Sequence, residues 1–153
     1  MYQSLSQTAK EILALAEKLA KSDQCDYVGT EHVLLAILEH GLGVGAQVLE
    51  NCGITLAAVR DQVAHLNKHS LEETWVLGRL PGTPHFKQVL SYAIQEAERV
   101  NDAKIGTEYL LLGLLREKGC IAEKSLRNLG LTLSGARKEI ARLQGRNHRS
   151  SFS

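Results

Sequence analysis

The chain repeats itself, and that limits what it can fold into more than any other feature. Shifted by about 77 residues, Lys10–Leu66 lies on Lys87–Leu143 without a gap, with roughly eighteen identities over some 57 positions. Gly29-Thr30-Glu31 falls on Gly106-Thr107-Glu108, and Leu34, Leu35 and Leu38 fall on Leu111, Leu112 and Leu115. Further on, Asn51, Gly53, Thr55, Leu56 and Arg60 match Asn128, Gly130, Thr132, Leu133 and Arg137. A repeat of this length implies a duplicated supersecondary unit, each copy covering apolar surface that the other leaves open. The copies are expected to pack as a pseudo-symmetric pair with closely similar backbones.

Within each copy the apolar period is helical. Ile12, Leu15, Ala16 and Leu19 follow i, i+3, i+4, i+7, and Val89, Ala93 and Ala97 do so more weakly. Ser6 and Thr83 stand where they can cap these first helices, and Pro84 suits a first helical position. The second helices are expected to begin at Thr30 and Thr107. Their apolar residues cover almost every side, which predicts burial all round. Short third helices follow, near Val44–Cys52 and Ile121–Leu129, and Gly53 and Gly130 sit where a left-handed residue ends them. Thr55 and Thr132 can cap the fourth helices, whose Leu56, Val59, Val63 and Leu66 recur as Leu133, Ala136, Ile140 and Leu143.

The expected fold is therefore all-α: two pseudo-symmetric four-helix repeats packed into one eight-helix domain. Repeat one spans 1–68, a linker 69–82, repeat two 83–144, and a basic, Ser-rich tail 145–153 is expected to be mobile. The linker holds Trp75-Val76-Leu77 and Leu80-Pro81, too apolar for a free spacer, and is expected to fold over one end of the bundle. Trp75 fits either a plug over that end or an exposed docking anchor.

Composition agrees and narrows the function. Aromatics make up 5% of residues and only two are prolines, which favours helices over a β-sandwich. A net charge of +1 gives no excess for neutralising nucleic-acid phosphates. The longest apolar run, around Val33–Leu38, is too short to cross a bilayer, and the N-terminus lacks a signal-peptide pattern. Neither nucleic acid nor membrane is an expected partner. Cys25, Cys52 and Cys120 are odd in number without CxxC spacing, so they read as reduced, buried small residues, not as metal ligands or nucleophiles. His32 follows Glu31 without a second ligand and reads as a structural histidine. Lysines and arginines of the fourth helices read as a solvated face. No set of acid, base and nucleophile can be assembled, so no catalytic residue, metal or cofactor is expected.

The doubled pattern, with [V/I]GTE[H/Y]xLL in the second helix and LxxxGxxL at the following turn, resembles the N-terminal repeat domain of Clp ATPases. The similarity is strongest to the ClpC branch, along VGTEHVLLAILEHGLGVGAQVLENCGITLAAVR, and it covers Met1 to about Leu143. It implies a non-enzymatic module that receives protein substrates or adaptors for an ATP-driven unfoldase and its protease, in the cytoplasm or, for a plant protein, the plastid stroma. The partners it implies are those clients together with Clp ATPase or protease subunits. The alternative from another class is a structural accessory that docks on the protease core or the ATPase and regulates assembly. The sequence contains no GxxxxGK[ST] phosphate loop, and the chain is expected to be a free-standing relative of the domain.

Two roles are open for Thr30-Glu31 and Thr107-Glu108. As helix starts, Thr caps and Glu complements the macrodipole. In ClpC-type domains, however, the matching glutamates contact the guanidinium of phosphorylated arginine. The resemblance thus implies a phosphoarginine or peptide site made from Ser6, Thr30, Glu31, Thr83, Thr107 and Glu108, with helix N-termini for the phosphate. The family commonly has a basic residue two positions after Ser6 and Thr83. Here Thr8 and His85 stand there, which weakens the expected hold on phosphate.

Overall fold

The computed structural model describes residues 4–25, 27–67 and 83–152. In chain order the elements are β1 (Ser4–Leu5), α1 (Gln7–Ser22), α2 (Thr30–His40), α3 (Val44–Asn51), α4 (Leu56–Asn67), α5 (Pro84–Arg99), β2 (Lys104–Ile105), α6 (Thr107–Arg116), α7 (Ile121–Asn128) and α8 (Leu133–Phe152). The 77-residue shift carries α1 onto α5 and α3 onto α7 end for end, and it aligns the starts of α2 with α6 and α4 with α8. The linker 69–82, and with it Trp75, lies outside the described residues.

Local chemistry sets most of the helix ends. Ser6 accepts from the Ala9 N–H at 3.1 Å and Thr83 from the Phe86 N–H at 3.0 Å, as the sequence leads one to expect. Thr55 and Thr132 cap α4 and α8 through Ala58 and Gly135. Gly53 and Gly130 take φ of 75° and 96° after α3 and α7, where a side chain would be strained.

Helices α2 and α6 form the centre. Every residue of Thr30–Ile37 and of Thr107–Leu115 is buried. Helix α1 lies along α2 and α5 along α6, while the third helices cross over: α3 packs on α6 as well as α2, and α7 on α2 as well as α6. The two units therefore share one core, built from Ile12, Leu34, Ile37 and Leu49 of the first and Leu111, Leu114, Leu115 and Leu126 of the second. Burying such side chains stabilises the fold by about 1.5–3 kcal/mol each.

Four expectations need correction. Thr30 and Thr107 are not the caps of their own helices; Gly29 and Gly106 occupy those positions, and each threonine is the first helical residue. Helix α8 runs on to Phe152, through the stretch assigned to a tail, because nothing stronger than Gly145 interrupts it. Cys120 is buried, but Cys25 is intermediate and Cys52 exposed. Arg137 does not belong to a solvated face. Its guanidinium grips Glu96 in a fork, at 3.2 Å from Oε1 and 2.7 Å from Oε2.

Glu96 itself is 1% exposed, and Arg116 (3.0 Å) and Arg99 (3.4 Å) also reach it, so its carboxylate ties α5, α6 and α8 together. Burial pushes the Glu96 carboxyl up, but the Arg137 hydrogen bonds and the charges of Arg137, Arg99 and Arg116 together hold it below the usual value of 4.5.

Candidate functional site

Each Gly-Thr-Glu segment turns a loop into a buried helix, and each of its three residues has a separate reason to be there. The glutamate side chain folds back over the preceding glycine. A Cβ on Gly29 would collide with Oε1 of Glu31, and one on Gly106 with Oε1 of Glu108. Both glycines have ordinary negative φ, −101° and −85°. A side chain at either position would push the carboxylate aside, whereas the backbone places no demand for glycine there.

The carboxylates end up 3% and 7% exposed. Burial raises the Glu31 carboxyl above 4.5; a hydrogen bond from its own backbone opposes this, Asp23 adds to it and His85 offsets it. Burial also raises Glu108, against its own backbone bond, with Asp102 adding and Gln144 opposing. The two differ in one respect. Oε2 of Glu108 accepts from the Gln144 amide at 2.7 Å, whereas Oε2 of Glu31 is buried with no hydrogen-bond partner among the described residues.

The threonines reach across the molecule. Thr107 Oγ1 accepts from the Gly45 N–H at 2.8 Å, and Thr30 Oγ1 accepts from the Ala122 N–H at 3.3 Å. Gly45 and Ala122 are the second residues of α3 and α7, so each threonine satisfies an orphan donor at a helix start in the other unit. At Gly45 a Cβ would lie 2.8 Å from the Thr107 carbonyl oxygen, which accounts for the glycine and for the closer approach there.

The first helices are delivered to these segments crosswise as well. The Ser6 N–H donates to the Ile105 carbonyl at 3.0 Å, and the Thr83 N–H to the Val28 carbonyl at 3.1 Å. Strand β1 pairs in parallel with β2, Ser4 opposite Lys104, and seats the start of α1 beside Glu108. The six residues singled out from the sequence thus sort into two triplets, Ser6 with Thr107 and Glu108, and Thr83 with Thr30 and Glu31. Each triplet draws on both units.

At the first triplet an open pocket of about 260 Å³ is lined by Ser6, Thr8, Asp102, Lys104, Thr107 and Glu108, with Gly43, Val44 and Gly106. At the second, the His85 Nδ1 is 2.6 Å from Oε2 of Glu117. His32 is structural: its buried ring accepts the Gly29 N–H on Nδ1 at 2.9 Å, and burial holds its pKa below 6.5 against the pull of Asp23. Tyr109 replaces it in the second unit and donates its hydroxyl to Asp102 at 2.7 Å.

Sequence reasoning missed Lys104 and Gln144. The signal available for Lys104 was a break in the repeat, since Tyr27 stands at the matching position. Nothing local marked Gln144, which meets Glu108 from 36 residues away.

A family profile described as the Clp repeat (R) N-terminal domain matches residues 4–129 and again 81–151. The chain is 34% identical over 148 residues to the chloroplastic ClpA homolog of Brassica napus, an ATP-binding subunit of the ATP-dependent Clp protease, covering 97% of this chain and 17% of that protein. It is likewise 34% identical to the chloroplastic chaperone ClpC1 of Arabidopsis thaliana, covering 97% and 16%. The chain thus spans about a sixth of the length of these relatives. Among solved structures, the N-terminal domain of ClpD from Arabidopsis thaliana superposes with a TM-score of 0.74 at 20% identity, over 92% of this chain and 94% of that one. A complex of the ClpV N-domain with a VipB peptide superposes with a TM-score of 0.69 at 21% identity, over 90% and 84%.

Proposed function

This chain belongs to the Clp repeat N-terminal domain family, and from that premise we propose that it is a non-enzymatic receptor for protein substrates or adaptors of a Clp unfoldase and protease system. The observation that carries the reading is the crosswise seating of a helix N-terminus beside a buried Gly-Thr-Glu carboxylate, once per unit. A helix start offers N–H donors and a positive dipole end to a phosphate; a desolvated carboxylate offers a partner to a guanidinium. The ligand that answers both is a phosphorylated arginine on a client chain, for which Ser6, Thr107 and Glu108 form one candidate site and Thr83, Thr30 and Glu31 the other. Relatives named as chloroplastic support the plastid stroma as its setting.

The test is titration of phosphoarginine into the wild type and into the Glu31→Ala, Glu108→Ala double variant, with the melting temperature as a control for folding. The wild type is expected to bind, and the double variant to bind roughly a hundredfold more weakly or not at all while still melting cooperatively. Equal affinity in the two proteins, or none in the wild type, sinks the reading. Capture of protease or ATPase subunits by a wild type that ignores phosphoarginine is the result expected of an accessory that regulates assembly.

A further inference from the structure

We propose that Lys104 supplies the phosphate-binding charge of the pocket at Glu108, and that a phosphate joined to a guanidinium is taken there and not at the pseudo-equivalent Glu31. This rests on the receptor reading above and assigns its ligand to one of the two sites. The pocket beside the start of α1 is the starting point. Ser6 and Thr8 bring no charge to its lining, so a phosphate seated there depends on a cation from elsewhere in the pocket.

Lys104 is that cation, and its position is built in three ways. Its residue pairs with Ser4 in the parallel β1–β2 ladder, two residues before the cap of α1. Its backbone N–H donates to Oδ1 of Asp102 at 3.0 Å, and Oδ2 of Asp102 accepts the Tyr109 hydroxyl at 2.7 Å. Its ammonium donates to the neutral Ser4 hydroxyl at 3.3 Å. The side chain lines the same pocket as Ser6, Thr8 and Glu108, so cation, helix start and buried carboxylate share one cavity of about 260 Å³. That volume lies at the small end of ligand pockets and suits a single side chain.

Among the described residues, the first unit lacks this arrangement. Tyr27 stands at the position of Lys104, His32 at that of Tyr109 and Cys25 at that of Asp102. His85, two residues after Thr83, is already 2.6 Å from the Glu117 carboxylate. Among the described residues, Glu31 offers a buried carboxylate oxygen without a partner, which suits a guanidinium, but no cation is built into a pocket beside it as Lys104 is beside Glu108.

Calorimetric titration of free phosphoarginine and of plain arginine into the whole chain tests this, using the wild type, Lys104→Gln and Lys104→Arg. One phosphoarginine per wild-type chain is expected. Lys104→Gln should weaken it roughly tenfold to a hundredfold, the worth of one charge-assisted bond, and flatten its salt dependence. Arginine affinity should be unmoved by either change, and Lys104→Arg should retain most of the phosphoarginine affinity. Lys104 is exposed, so the melting temperature should hold. Undiminished phosphoarginine binding by Lys104→Gln, or two equal sites in the wild type, overturns the assignment while leaving the receptor reading intact. A wild type that binds no phosphoarginine overturns both.

Discussion

Glu31 and Glu108 are carboxylates kept where a carboxylate is costly. Burial is the largest influence on each and raises both pKa values, so the folded protein holds these protons to higher pH than the unfolded chain does. Their contribution to stability is fullest below the ordinary value of 4.5 and is lost as pH rises through the raised values. Glutamine at position 31 mimics the protonated form and is immune to that loss. Glu31→Gln is therefore expected to gain on the wild type as pH rises, by about 1 kcal/mol at pH 8. Urea unfolding of both proteins from pH 4 to pH 8 measures it; a stability difference that stays constant or shrinks with pH contradicts it. The glutamates themselves were legible from the repeat. Their burial was not, because a Glu at a helix start has the same local pattern whether it faces solvent or folds over a glycine.

Among the elements, the helices were the most readable part of the chain. Caps at Ser6, Thr83, Thr55 and Thr132 and left-handed glycines at 53 and 130 are local chemistry, and the structure has them where the sequence places them. Contacts between distant elements left no such trace. Thr30 and Thr107 cap helices 92 and 62 residues away, and Arg137 finds Glu96 across 41. That arginine has a built-in comparison in the first unit, where its counterpart Arg60 pairs with Glu39 at 3.5 Å with both side chains exposed. Glu39→Ala should cost at most about 0.5 kcal/mol, as exposed pairs do. Glu96→Ala should cost about 2 kcal/mol: less than the loss of a fully buried pair, because its arginines remain partly solvated, but several times the first. Urea midpoints of the two variants decide it, and equal costs would show that Glu96 does not join α5, α6 and α8.

For the whole molecule, the shared core makes the duplicated units one thermodynamic body. With α3 packed on α6 and α7 on α2, neither unit can open without exposing the other's central helix. Heating is expected to give a single transition, with calorimetric and van't Hoff enthalpies in a ratio near one. Two resolved transitions, or a ratio near two, would mean that the units melt separately. The overall architecture was visible in the repeat alone; the crossing was not, since a period of 77 is equally compatible with two units side by side.

The crossed threonine bonds have the form of a two-fold dimer interface, in which residue i of one copy meets j of the other and j meets i. Two separate copies of one unit could make both bonds, but they would have to find each other at cellular concentration. Joining them in tandem replaces that encounter with an effective concentration of about millimolar. It also ends an obligation. In a homodimer every substitution appears in both sites at once, whereas in a tandem chain it appears in one. Lys104 matched with Tyr27, and Gly45 with Ala122, are differences that a homodimer cannot carry, and they leave one half free to specialise while the other keeps the scaffold.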